Sequence, residues 1–354
     1  MPAHIHIRIV AVFLLLILSI VSPVLAQTPA SAAAAEAPSS ALPALGASLS
    51  DLRTQEDFTS LTLAGSDLQM TEPIEGGHQE TPEFIRDLYQ VSWRSLDSID
   101  LYIIRPAKAK NPPVVIYLYG FPSDTARFRD DAYCQRLVRN GSAAVGFVSA
   151  LTGPRFHHRP LNQWFVSELQ ESLATTVHDV QMTLNLLEKR GDVDMSRVGI
   201  FGQGSGGAIA ILAAAADPRI KALDLLQPWG DWPNFLAESL AIPNNERPNY
   251  LKPEFLKKVE PLEPMHYLPE LKNRSIRIQF VAEPAPMKWP KHMEEAAPAT
   301  AKIVHFDSPS DLYSTTSGGR LFQWIGEQLK SPAAGAEPVR AKAPSTMERT
   351  EAQQ

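Results

Sequence analysis

Arg197-Val198-Gly199-Ile200-Phe201-Gly202-Gln203-Gly204-Ser205-Gly206-Gly207-Ala208 is the stretch on which the reading of this chain turns. Its first part is short and continuously apolar, as a strand buried on both faces is. Residues 208–216 are Ala, Ile and Leu, small enough for a closely packed helix. Between strand and helix, four glycines stand at positions 202, 204, 206 and 207. Glycines allow a sharp turn and a close backbone approach. Such a turn aims the first amides of the helix, and its dipole, at one point, and that favours an anion.

Strand and helix signals alternate on both sides of this turn. Tyr89-Gln90-Val91-Ser92-Trp93 and Ile99-Asp100-Leu101-Tyr102-Ile103-Ile104 read as paired edge strands, and Val114-Val115-Ile116-Tyr117-Leu118-Tyr119 as a central one. Ala143-Ala144-Val145-Gly146-Phe147-Val148, Val198-Gly199-Ile200-Phe201 and Ala222-Leu223-Asp224-Leu225-Leu226 follow, then Ile276-Arg277-Ile278-Gln279-Phe280-Val281 and Lys302-Ile303-Val304-His305-Phe306. Phe165, Leu169, Leu173, Val177, Val180, Leu184 and Leu187 recur at three- and four-residue spacings. They predict one apolar stripe on a long helix, stopped by Gly191. Residues 321–329 predict the last helix. The expected architecture is a three-layer α/β/α sandwich around a mostly parallel, eight-stranded sheet. Residues 229–270, rich in Trp, Pro and Asn, predict a small irregular cap.

The turn strongly resembles the nucleophile elbow of the α/β-hydrolases, over roughly residues 88–330. Leu118-Tyr119-Gly120-Phe121-Pro122 resembles that family's oxyanion loop, and Gly120 or Phe121 would turn an N–H toward the pocket. The resemblance implies a serine at the elbow. Aligned without gaps, however, Gly202 and Gly206 take the two glycine positions and Gly204 falls where the nucleophile belongs. Ser205 then takes the next position, whose backbone N–H serves the oxyanion hole. A shift of one residue would restore Ser205 as nucleophile and put Gln203 where packing usually wants a small residue.

The other expected members of a triad are missing in the same register. The loop after the seventh predicted strand is Ala282-Glu283-Pro284-Ala285-Pro286, with Ala285 near the position of the acid and Glu283 too close to the strand. The loop after the eighth, Asp307-Ser308-Pro309-Ser310-Asp311-Leu312, holds no histidine. His305 lies inside that strand and reads as core. Asp231 after the sixth strand is either a substitute acid or a turn cap. His157 and His158, in the loop after the fourth strand, are either substitute bases or polar anchors of the long helix. Arg155, His158, Gln203 and Trp229 are expected to line the pocket. His178 reads as a surface or packing residue, and His292 is given no role.

The same glycines also match the G-x-G-x-x-G of dinucleotide-binding folds, with Asp224 about twenty residues on. The motif sits in the fifth strand-turn-helix unit rather than the first, and Asp224 lies inside its strand. Both features weigh against that reading.

Residues 1–26 read as a secretory signal, 27–50 as an Ala/Pro/Ser tether, 51–330 as the domain and 331–354 as a disordered tail. Phe58, Leu61, Leu63 and Leu68 are expected to pack on the domain. An exported protein, periplasmic or secreted, follows, with no membrane span once the signal is removed; an uncleaved anchor is the alternative reading of the same segment. The formal net charge is −6, no basic run is present, and nucleic acid is not an expected partner. Cys134 is the only cysteine, so no intrachain disulfide forms. No zinc-type Cys/His spacing occurs, and neither metal nor cofactor is expected. Two functional expectations remain open. One is a degenerate hydrolase, a pseudoenzyme that holds a small ligand or a partner in the strand-end pocket. The other is a carboxylic-ester hydrolase using Ser205, with His157 or His158 as base and Asp231 as acid. Dinucleotide binding stands behind both.

Overall fold

Side-chain alternation along the strands separates two apolar layers. On β4 (Pro113–Leu118), Val114, Ile116 and Leu118 belong to one core cluster, and Val115 and Tyr117 to the other. On β6 (Asp194–Gln203), Val198 and Ile200 face the first cluster and Phe201 the second. Period-two burial on both faces requires a sheet covered on both sides. The computed structural model describes residues 56–95, 97–120, 125–150, 169–282 and 287–330. These residues lie within one compact unit, Ser48–Gln354.

The remaining strands are β1 (Ile74–Glu80), β2 (Phe84–Arg94), β3 (Asp97–Pro106), β5 (Ala143–Phe147), β7 (Ile220–Leu226), β8 (Ser275–Val281) and β9 (Lys302–Phe306). Their order is β1-β2-β3-β5-β4-β6-β7-β8-β9. The sheet therefore has nine strands, not eight. The additional strand, β1, is IEGGHQE and mostly exposed, so it carries no apolar alternation for a sequence reading to detect. It pairs antiparallel with β2, and β2 and β3 continue antiparallel. From β5 to β9 the ladders are parallel.

The described helices are α1 (Asp131–Val138), α2 (Leu169–Arg190), α3 (Ser205–Ala216), α4 (Trp232–Glu238), α5 (Arg247–Tyr250), α6 (Pro253–Val259), α7 (Pro264–Tyr267), α8 (Lys288–Ala296), α9 (Pro309–Thr316) and α10 (Gln323–Gln328). The cap region is thus a set of short helices. The predicted last helix begins as a 3₁₀ turn, Ser317–Phe322, with Gly318 and Gly319 at φ 68° and 92°.

Helix α2 departs from the one-stripe expectation. Leu173, Val177, Val180, Leu184 and Leu187 are buried against the sheet as predicted, and Gly191 at φ 70° closes the helix. The opposite face is buried as well, because residues 56–70 lie along it. Phe58, Leu61, Leu63, Leu68 and Met70 pack on the core, and the Gln181 side-chain amide donates to the Leu61 carbonyl at 2.7 Å. Beneath this strap lies a closed ion cluster. Arg94 donates twice to the Glu56 carboxylate (2.6 and 2.7 Å) and also pairs with Asp179. The Trp93 indole donates to Asp179 at 2.8 Å. His178 places Nδ1 2.6 Å from Glu56 and Nε2 3.1 Å from the Ser60 carbonyl. His178 is therefore a buried member of an ion cluster. The acceptors on both of its ring nitrogens come from a segment more than a hundred residues away.

Candidate functional site

Strands β4 and β6 are neighbours, and the chain leaves β4 toward β5 on one side and leaves β6 toward β7 on the other. Their carboxyl ends thus flank the point where strand order reverses, the crevice in which such sheets bind ligands. Gly120 follows β4 and Gly204 follows β6. A methyl group built on Gly120 would lie 2.8 Å from the Gln203 carbonyl oxygen. The two turns touch backbone to backbone.

Gly204 has φ 57° and ψ −120° and stands between the last residue of β6 and the first of α3. Its N–H donates to the Leu226 carbonyl at 2.9 Å, and its carbonyl accepts from Gly207 N–H at 3.0 Å and Trp229 N–H at 3.0 Å. The residue at the apex of the elbow is therefore Gly204, as the ungapped register predicts. A methyl group on Gly202 would come within 2.4 Å of the Gly206 carbonyl oxygen, and one on Gly206 within 2.2 Å of the Leu118 carbonyl oxygen. Those two glycines let strand and helix approach. Ser205 is the first residue of α3 and is completely buried. Gln203 is half-buried at the end of β6. The apex therefore carries no oxygen with which to attack.

Trp229 reaches back over the apex. Its indole Nε1 lies 3.3 Å from where a Gly204 methyl group would stand, and its ring packs on Phe235 with centroids 4.7 Å apart. Trp229, Trp232, Phe235 and Tyr250 are all buried, so these cap aromatics are core packing. Two residues past Trp229, Asp231 adopts a left-handed backbone (φ 55°, ψ 59°). It occupies the position before α4, but its carboxylate caps no backbone amide. Instead Oδ2 accepts from the Asn234 side-chain amide at 2.8 Å and lies 2.7 Å from His292 Nδ1 on α8. This is a carboxylate–imidazole pair, the arrangement that orients a base. Neither a spacing nor a motif joins the two residues in sequence, which is why His292 was missed.

A second carboxylate fixes the turn. Glu263 accepts from the backbone N–H groups of Asp231 (2.8 Å), Trp232 (2.8 Å) and Met265 (3.2 Å). Burial raises the Glu263 carboxyl above its ordinary value, and those amides offset the rise only in part.

The other predicted positions divide clearly. Phe121, Arg155, His157, His158, Glu283 and Ala285 lie outside the described residues. Asp224 is fully buried and receives Arg277 through two bonds (2.9 and 2.7 Å) and Gln279 at 2.9 Å. Its carboxylate is occupied inside the sheet and has no opening to a ribose. His305 is exposed rather than core. It pairs with Glu294 at 3.1 Å and stacks on Phe280, because β9 is the edge strand and its burial pattern is mostly open. Cys134 is buried in α1 as expected. Among the described residues, no group of three or more His, Cys, Asp or Glu is arranged to hold a metal ion, and no helix is long and apolar enough to cross a membrane.

This topology, with the elbow after β6, is the α/β-hydrolase fold. Residues 99–230 match the dienelactone hydrolase family. Acetyl xylan esterase 1 from a Thermoanaerobacterium species is similar in structure, with 16% identity, a TM-score of 0.54, and coverage of 75% of this chain and 89% of that one. An acetyl xylan esterase from a Paenibacillus species is similar at 13% identity and a TM-score of 0.52, covering 68% and 83%. A cold-adapted esterase from an Arctic intertidal metagenomic library, in a PEG-bound complex, is similar at 14% identity and 0.52, covering 72% and 98%. No curated protein sequence matches the chain.

Proposed function

We propose that this chain is an exported α/β-hydrolase-fold protein that holds a carboxylic ester or carboxylate between the ends of β4 and β6 without cleaving it through an elbow nucleophile. The observation that carries this reading is the glycine at the apex, with Ser205 buried in the first turn of α3. A ligand oxygen placed there meets the amino end of a twelve-residue helix, whose dipole and first-turn amides favour negative charge. The dienelactone hydrolase match and the esterase neighbours support an ester as the class of ligand.

A second reading is carboxylic-ester hydrolysis. The comparisons by themselves support it better than binding alone, and the Asp231–His292 pair supplies an oriented imidazole. Ser205 would then be the nucleophile, and an acyl-enzyme would form on its Oγ and be released by water.

The two readings separate in one experiment. p-Nitrophenyl acetate hydrolysis is followed for wild type, Ser205→Ala and His292→Ala, and each protein is treated with a serine-reactive phosphonate. Binding without cleavage predicts no turnover above buffer and no labelled serine. Turnover lost in Ser205→Ala, with stoichiometric labelling of Ser205 in wild type, would establish the hydrolase instead.

A further inference from the structure

We infer a second ligand site, for a compact multivalent anion, on the side of the sheet away from the elbow. A cavity of about 300 Å³ opens between the carboxyl end of α1 and the segment 318–330. Arg136 and Arg139 form one wall, and Arg320 and Lys330 the other. Glu327 is the only carboxylate among the lining residues, and it accepts from Gln323 at 2.8 Å.

The charges in this cavity differ from most described arginines elsewhere, although Arg247 is likewise held by backbone carbonyls. Arg86, Arg94, Arg105, Arg190, Arg197, Arg219 and Arg277 each pair with a carboxylate. Among the described residues, none of the four cavity cations has a carboxylate within 4.0 Å. Two of them are held in place by neutral partners instead. Arg139 donates to the Gly318 carbonyl at 2.9 Å. Arg320 donates to the carbonyls of Ser314 (2.7 Å) and Ser317 (3.2 Å). These bonds fix the guanidinium groups without neutralising them.

A helix carboxyl end favours cations, and that accounts for Arg136 in the last turn of α1 and Arg139 just after it. It does not account for Arg320 and Lys330, which come from a different segment and meet them across the same cavity. The left-handed pair Gly318 and Gly319 makes the turn that brings this wall close; a methyl group on Gly319 would lie 3.5 Å from the Arg136 side chain. Four cations against one engaged carboxylate, in a chain of net charge −6, focus positive potential at one concave spot. Guanidinium forks match phosphate and carboxylate oxygens. The volume suits an anion the size of pyrophosphate or citrate.

The site lies apart from the elbow. Residues 136–140 precede β5 at its amino end, and Leu329 contacts Arg197 near the amino end of β6, whereas Gly204 follows the carboxyl end of β6.

The test is isothermal titration of the full chain with pyrophosphate and, separately, with citrate at constant ionic strength. Wild type is compared with Arg136→Gln/Lys330→Gln and with the distant control Lys257→Gln. The double variant removes two charges that make no hydrogen bond or ion pair among the described residues, although Arg136 lies over the Tyr133 ring at 5.5 Å, and circular dichroism confirms that it is folded. The expected result is saturable binding, at least tenfold weaker in the double variant and unchanged in the control. Preference for pyrophosphate or citrate identifies the ligand as phosphoryl or carboxylate. Absence of saturable binding of either anion, or equal affinity in wild type and double variant, would overturn the inference.

Discussion

Placing a side chain at the elbow apex, by Gly204→Ser, tests the central geometric reading. The backbone there, φ 57° and ψ −120°, is open to glycine and strained for other residues. Holding a residue with a side chain in such a region costs about 1–3 kcal/mol. Direct clashes add little. The new Cβ would lie 3.3 Å from Trp229 Nε1, so the indole must shift by a few tenths of an ångström, and 3.6 Å from the Gly120 Cα, which is ordinary contact. Against a typical stability of ~5–15 kcal/mol the variant stays folded. At ~2–4 °C per kcal/mol, its melting temperature falls by about 2–12 °C. Gly202→Ala is the contrast. Its methyl group would meet the Gly206 carbonyl oxygen at 2.4 Å and the Gly207 Cα at 2.7 Å, so two backbone segments must separate. Differential scanning calorimetry of both variants, with circular dichroism of the folded states, reads the difference. A Gly204→Ser protein that fails to fold, or melts as low as Gly202→Ala, would refute the assignment of position 204 as an open apex.

Three further predictions concern groups buried away from the apex. Asp224→Asn leaves the Arg277 guanidinium without its carboxylate and is expected to lose about 3–5 kcal/mol in urea unfolding, most of it recovered in Asp224→Leu/Arg277→Met. Among the described residues the buried Tyr117 hydroxyl has no hydrogen-bond partner, so Tyr117→Phe should raise stability by about 1–3 kcal/mol, seen as a higher melting temperature. Burial alone would raise the Glu56 carboxyl, but hydrogen bonds from Arg94 and His178 outweigh it and hold it below its ordinary value. A lowered carboxyl contributes stability that is present above its unfolded value of ~4.5 and is lost as pH falls through the native one. Wild type should therefore destabilise steeply with acid below about pH 4.5, while Glu56→Gln is weaker at pH 7 and shows a flatter acid limb in pH-dependent urea titrations.

The strap and the paired histidine mark the boundary of what a sequence reading reaches. The apolar stripe of α2 is correct for the face against the sheet. Its second buried face carries Thr175, His178, Asp179 and Gln181, which no hydrophobic period reveals. The side chains of His178, Asp179 and Gln181 are buried because Glu56, Arg94, Trp93 and the carbonyls of residues 60 and 61 satisfy them, and burial of that kind depends on partners rather than on residue type. The edge strand β1 escaped notice for a related reason, since pairing through its backbone leaves little trace in its side chains.

The sequence by itself determined the strand-turn-helix at residues 194–216, the alternation that makes the sheet, and the glycine at the apex. Each of these is local: a φ above zero, a two-residue period or a close approach within a few positions is written in neighbouring residue types. Only the tertiary structure decided that Asp231 meets His292 and that Asp224 is occupied by Arg277. It likewise decided that four cations with no carboxylate partner among the described residues gather around one cavity. The partners stand tens to hundreds of residues apart, and sheet order, which no local spacing encodes, brings them together.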